Sequence, residues 1–314
     1  MSFFMDAEIT LGTKLLEVIF MLTGFVVIYT GIKNLRDEQN PSRIGTALFW
    51  TILGVVIAFG RWIPSKITGL LIIIMCIPAI LQKVKMGNVQ KVTQEQTKEN
   101  FNKIGMKVFI PAFAIGIGAL LFALFTDLGA LVGVGAGVLA SAILLIVLLP
   151  SNKPTVILND AERMISTVGP ISMLSMLLAC LGAVFTAAGV GEVIAKIVGN
   201  IIPQGNVNIG IIVYALGMML FTIIMGNAFA AITVMTVGIG APFVLAYGAN
   251  PVLIGMLALT CGYCGTLLTP MAANFNIVPV ALLDMKNRFT VIRNQFVIAF
   301  IMITFQIIYM IIFK

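Results

Sequence analysis

The chain has 314 residues, 60% of them hydrophobic and only 10% charged, with a mean hydropathy of +1.10 and a formal net charge of +7. That balance excludes an ordinary soluble domain, in which about 25% of residues are charged. The positive excess does not point to nucleic acid, because the lysines and arginines sit in short loops between apolar segments, where they set membrane orientation.

A membrane span needs roughly 20 apolar residues, and about ten segments of the sequence qualify, so the fold class is an all-α polytopic membrane protein. The N-terminus does not read as a cleavable signal. Asp6 and Glu8 stand where a positive region belongs, and the first cation is Lys14.

In chain order, spans are expected at about 11–31, 44–60, 67–81, 108–125 and 128–149. The one long polar stretch, 82–107, carries six lysines against two glutamates and reads as a solvated connector, partly helical. The double small-xxx-small string Gly129, Gly133, Gly137 suits close approach of a neighbouring helix or of a second subunit. The Pro- and charge-bearing linker 150–163 divides the chain into a five-span N-terminal bundle, 1–150, acting as scaffold or interface, and a C-terminal transport region, 151–314. A span at about 168–187 and a short amphipathic piece, 191–202, follow. Segments at about 207–225 and 228–247, either two full spans or a re-entrant hairpin, meet at Gly226-Asn227. A broken segment after Pro251, a polar turn at 284–288 and a last span at about 290–312 complete the chain.

If the lysine-rich stretch is cytoplasmic, loops 32–43, 82–107, 150–163 and 284–293 lie inside and hold fourteen of the nineteen cations. Both termini are then outside a bacterial cytoplasmic (inner) membrane.

The informative region is 197–283, which contains no charged residue. Two apolar segments there are each broken by a small polar cluster. The first is Met225-Gly226-Asn227-Ala228; the second runs from Thr266 through Thr269 and Pro270 to Asn274 and Asn276. Broken helices at membrane depth must be buried in protein or line a cavity, and paired breaks are the usual pointer to a transporter's binding site. Gly226 permits close backbone approach. Asn227 suits a helix N-cap, and a helix starting at Ala228 would aim free N–H groups at an anion. Pro270 lacks an N–H and frees a carbonyl near Thr266. The hydroxyls of Thr266 and Thr269 and the amides of Asn274 and Asn276 add neutral oxygens of the kind a sodium ion takes.

The substrate-binding candidates are therefore Gly226, Asn227, Ala228, Thr269, Pro270, Asn274 and Asn276. The coupling-ion candidates are Asn227, Thr266, Thr269 and Asn274, with Na+ as the only cofactor-like species expected. No catalytic residue is expected, since the polar breaks hold no base to activate a nucleophile. No metal centre is expected either: there is no histidine, and Cys261 and Cys264 have no second pair to complete a zinc site. Glu17, Asp127 and Glu192 lie near span ends and are secondary candidates for coupling.

On these residues the C-terminal part resembles the ion-transporter superfamily that includes the divalent anion/sodium symporters. The run from Leu178 to Lys196 resembles the helix and amphipathic segment before that family's hairpin. Gly226-Asn227-Ala228 stands where the family has Ser-Asn-Thr, and Thr269-Pro270 to Asn274 where it has an unwound Thr-Pro-Pro-Asn-like helix. Glycine here replaces the serine, alanine the threonine, and the second proline is absent.

Nearly the whole chain, including the stretch from Asn40 to Trp50, is similar to a bacterial membrane family catalogued as domain of unknown function 979. That resemblance implies one subunit of a 5-oxoproline (pyroglutamate) transporter, with a second small membrane protein as companion. The symporters have two inverted repeats, each with one hairpin and one broken helix, and this sequence shows one such set. The expectation is therefore a secondary transporter subunit for a small organic anion, working as a hetero-oligomer or, next, a homodimer. The alternative is a non-transporting scaffold or assembly subunit.

Overall fold

The computed structural model describes residues 2–87, 94–150, 153–169, 171–199, 202–203, 205–283 and 285–314. Lys91, counted above with the loop cations, and Asp284, the first residue of the polar turn, lie outside them. The described residues form helices and turns with no strand, in two compact units, Met1–Gly169 and Pro170–Lys314.

The first unit contains α1 (Ser2–Met5), α2 (Leu11–Arg36), α3 (Arg43–Phe59), α4 (Ser65–Ile80), α5 (Gln94–Ile104), α6 (Phe109–Phe125), α7 (Ala130–Leu148) and α8 (Pro154–Val168). Helix α2 starts at Thr10, whose hydroxyl accepts the Thr13 N–H at 3.3 Å, and ends with Lys33 and Arg36 where cations favour the helix dipole. It lies against α3 through small residues. A Cβ added to Gly24 would sit 2.6 Å from the Gly54 carbonyl oxygen, so the backbones themselves are in contact.

Two buried carboxylates fasten α2 to its neighbours. Glu17 pairs with Arg61 at 2.7 Å, and Glu162 of α8 pairs with Lys33 at 2.9 Å. Sixteen residues separate Glu17 from Lys33, a rise of about 24 Å, so each pair occupies one end of the helix and leaves its middle apolar.

Helices α6 and α7 make a close antiparallel pair, and here the glycine string finds its partner. Gly133 faces the Gly118 carbonyl oxygen and the Phe122 Cβ, and Gly137 faces the Ile115 backbone. Both glycines are occupied within the chain, which leaves them no free face for a second protein. Gly129 is instead the N-cap of α7, with φ of 87° and open space around it.

The stretch read as a linker is helical over Pro154–Val168, with Pro154 in its first turn. It is joined to α2 by the Lys33–Glu162 pair and by Ser166, whose hydroxyl accepts from the Asn34 side-chain amide at 3.5 Å and donates to Glu162 Oε1 within α8 at 3.0 Å. The boundary between units consequently falls at Gly169 rather than at 150.

The second unit contains α9 (Ile171–Ala187), α10 (Val190–Gly199), α11 (Val207–Met225), α12 (Ala228–Met235), α13 (Ala241–Phe243), α14 (Pro251–Thr266), α15 (Ala273–Leu282) and α16 (Thr290–Phe313). A π-helical turn, Thr236–Gly240, continues α12. The core is built by α11, α14 and α16, with Ile211, Tyr214, Met218, Ile254, Ala258, Cys261, Ile303 and Met310 all buried.

Six helices among the described residues are long and apolar enough to cross a membrane: Leu11–Arg36, Thr97–Phe125, Ala130–Leu148, Val207–Met225, Ala228–Tyr247 and Thr290–Phe313. Four further apolar helices have only 10–17 residues, and Cys180–Ala187 with Val190–Gly199 forms a pair bent by 67°. The ten apolar segments of the sequence thus include several that are short or bent. Both halves of the stretch meeting at Gly226-Asn227 have the length of a full span.

Candidate functional site

The two breaks of the uncharged region meet in space, and Gly226 is where they touch. It ends α11 in the left-handed conformation, φ 71° and ψ 5°, and donates its N–H to the Thr222 carbonyl at 2.6 Å. A Cβ there would lie 2.6 Å from the carbonyl carbon and oxygen of Met271, in the middle of the second break. Only glycine satisfies both the dihedral angle and the contact. Gly262 and Gly265 bring α14 equally close to α11 and α12: added Cβ atoms would meet the Ala228 Cβ at 2.9 Å and the Met219 carbonyl oxygen at 2.3 Å.

Asn227 caps α12. Its Oδ1 accepts the N–H groups of Phe229 at 2.9 Å and Ala230 at 3.2 Å. The helix start expected at Ala228 is present, but two of its first N–H groups are spent on this cap, which reduces the free donors available to an anion. Ala228 itself is buried against Gly262, so its small side chain serves the close approach of the two helices.

At the second break the chain leaves helical geometry after Thr266 and resumes it at Ala273. Pro270 removes one N–H, and the carbonyl it frees belongs to Thr266. The amide of Asn276 fills that gap, donating at 2.7 Å to the Thr266 oxygen and at 2.7 Å to the Thr269 oxygen. Thr269 Oγ1 accepts the Met271 N–H at 3.2 Å, and Thr266 Oγ1 donates to the Tyr263 carbonyl at 2.7 Å. Both threonine hydroxyls are thus engaged in holding the bend. No side chain caps the first turn of α15.

Asn276 and Asn274 are placed differently. Asn276 is completely buried, and its Oδ1 has no hydrogen-bond partner among the described residues. Asn274 is exposed, with no side-chain hydrogen bond among the described residues. A second buried oxygen, Thr222 Oγ1, also lacks a partner among the described residues. It lies 3.2 Å from where a Cβ on Gly262 would be, on the α11 side of the same crossing. Buried acceptors are almost always paired, yet each break carries one unsatisfied buried oxygen. Thr222 was not singled out from sequence, although it stands one turn before Gly226 and its carbonyl receives that glycine's N–H. Tyr263 was missed as well. It belongs to the last turn of α14, with its ring against Phe229 on one side and Phe275 on the other.

A family model described as "Protein of unknown function (DUF979)" matches residues 17–314, almost the whole chain. The chain belongs to the DUF979 family. No curated protein and no solved structure matches it. The DUF979 match takes in both units and every site residue described above. This member of DUF979 combines a helical, membrane-type fold with two interrupted helices in contact.

Proposed function

We propose that this DUF979 protein is a subunit of a secondary transporter for a small organic anion, with 5-oxoproline as the first substrate to test, coupled to sodium. The observation that carries the reading is the contact of the two breaks at Gly226 and Met271, inside a stretch of 87 residues without charge, 197–283. Interrupted helices of this kind place backbone dipoles and amides at a binding site near the bilayer midplane. The anion has the exposed Asn274 amide and the start of α15 beside it, and 197–283 supplies no lysine or arginine.

Sodium suits the neutral oxygens of the crossing. Asn276 Oδ1 and Thr222 Oγ1 are the residues best fitted to receive it, since both are buried acceptors without partners. The coupling set read from sequence, Asn227, Thr266, Thr269 and Asn274, changes accordingly. Asn227 Oδ1 and the two threonine hydroxyls already hold the local fold, and Asn274 is the exposed group nearer to substrate. Alternating access needs a second element moving about the site; the helix pair meeting at Gly226-Asn227 and one broken helix furnish half of it. The partner is a small membrane subunit, or else a second copy.

Uptake of labelled 5-oxoproline into proteoliposomes, with this chain alone and with a companion subunit, tests the reading. Saturable uptake that needs both proteins and collapses when choline replaces sodium is expected. Robust uptake by this chain alone as a monomer would remove the shared-site part of the proposal. Sodium-independent uptake abolished by an uncoupler would replace sodium by protons.

A further inference from the structure

We propose that Phe229, Tyr263 and Phe275 form the surface that reads the body of the transported anion, and that this surface selects a flat ring over an open chain. The inference rests on the transporter reading above and assigns residues that the reading leaves without a role.

The three rings come from three elements and converge on the crossing. Phe229 is in the first turn of α12, Phe275 in the first turn of α15, and Tyr263 in the last turn of α14. Tyr263 stands between the other two, its ring centre 6.0 Å from Phe229 at an interplanar angle of 83°, and 6.5 Å from Phe275 at 57°. The ring row therefore links the segment after the first break to the segment after the second. Its outer members are open, with Phe229 59% and Phe275 44% exposed.

Lipid does not suit this face. The exposed amide of Asn274 sits next to Phe275 in sequence, and the Tyr263 hydroxyl has no hydrogen-bond partner among the described residues. Both groups would go unsatisfied in hydrocarbon, where unpaired polar groups are costly. Rings with polar groups at their edge, beside a helix break, instead match the walls of a small-molecule site, which are mostly apolar with a few placed polar atoms.

The selectivity follows from what each end of the ligand meets. No ammonium or guanidinium from 197–283 fixes the carboxylate, so binding strength depends more on the ligand body. Aromatic side chains have only two rotatable angles and offer large rigid faces at low entropic cost. A flat ring can lie against such a face with little loss of internal freedom, whereas an open chain must be frozen to make the same contact.

The test uses the full-length protein purified in mild detergent and equilibrium dialysis with two labelled monocarboxylates. One is 5-oxoproline, whose amide is closed in a five-membered ring. The other is N-acetylalanine, with the same number of carbons, one carboxylate and an open-chain amide. Tighter binding of the ring acid by the unaltered protein is expected. Tyr263→Leu should weaken that acid about tenfold and leave the open-chain acid nearly unchanged, while Tyr263→Phe keeps the preference. Phe275→Leu, at a more exposed position, should show the same ring-specific loss and serves if Tyr263→Leu fails to fold. Equal binding of the two acids, or equal weakening of both by Tyr263→Leu and Phe275→Leu, overturns the ring surface and leaves the transporter reading standing. No saturable binding of either acid, in sodium buffer and with the companion subunit added, overturns both.

Discussion

Asn276 does the work that Pro270 creates. A proline in a buried helix leaves a carbonyl without its donor, here that of Thr266, and the Asn276 amide satisfies it together with the Thr269 oxygen beside the break. Asn276→Ala should cost about 1–3 kcal/mol through the unpaired carbonyls and lower the thermal unfolding midpoint. Asn274→Ala, at an exposed position, should leave that midpoint unchanged and act on substrate affinity alone. An equal drop in midpoint for the two variants would contradict the difference in their roles. Thr222→Val distinguishes packing from ion binding. The swap keeps the shape and removes only an unpartnered hydroxyl, so stability should hold or rise. Uptake should need roughly tenfold more sodium for its half-maximal rate; an unchanged sodium requirement would exclude the hydroxyl as a ligand.

The elements of the first unit are held by contacts whose removal has distinct readouts. Gly133 lies against the Gly118 carbonyl oxygen at a separation too small for any side chain. Gly133→Leu should therefore force α6 and α7 apart and lower yield and thermal stability of the chain itself, measured without any partner present. A variant that folds normally but fails to bind a companion subunit would return this glycine to an intersubunit role. Helix α8 depends on the Lys33–Glu162 pair, whose carboxylate side chain is buried and whose ammonium is partly exposed. Lys33→Met strands that carboxylate, a loss discounted by the solvent around the lysine to about 1–2 kcal/mol. Faster amide exchange over 154–168 than elsewhere in the unit is the expected signature, and uniform exchange across the unit would exclude a local latch.

At the scale of the whole molecule, the described residues hold one set of broken helices in contact, and the loop charges carry a proposed orientation. Fourteen of nineteen cations fall in loops that alternation puts on one side, so the proposed arrangement has the termini on the other face of a bacterial inner membrane. Single cysteines placed at position 2 and in the 94–104 helix of a cysteine-free variant check it. The first should react with an impermeant thiol reagent added outside intact cells and the second should not; the reverse labelling would invert the topology.

The sequence by itself determined the class of protein, the positions of nearly all helices, and the two breaks. Each of these rests on local chemistry: apolar run length, helix-breaking glycine and proline, and capping asparagine. Gly226 as a helix end, Asn227 as a cap and Thr266 as the owner of the freed carbonyl were legible because they follow from neighbours within one helical turn. What only the tertiary structure decided is which groups share a location. Asn274 and Asn276 are alike in composition and two residues apart, yet helix rotation buries one and exposes the other. The glycine string of α7 was readable as a close-packing face, but that α6 fills it depends on how two helices fold back. The 150–163 stretch reads as a linker because it carries prolines and charges, and a half-buried ion pair 129 residues apart in sequence, Lys33 with Glu162, ties it to the first unit. Thr222 and Tyr263 gained their places at the crossing from packing between helices, for which local sequence carries no signal.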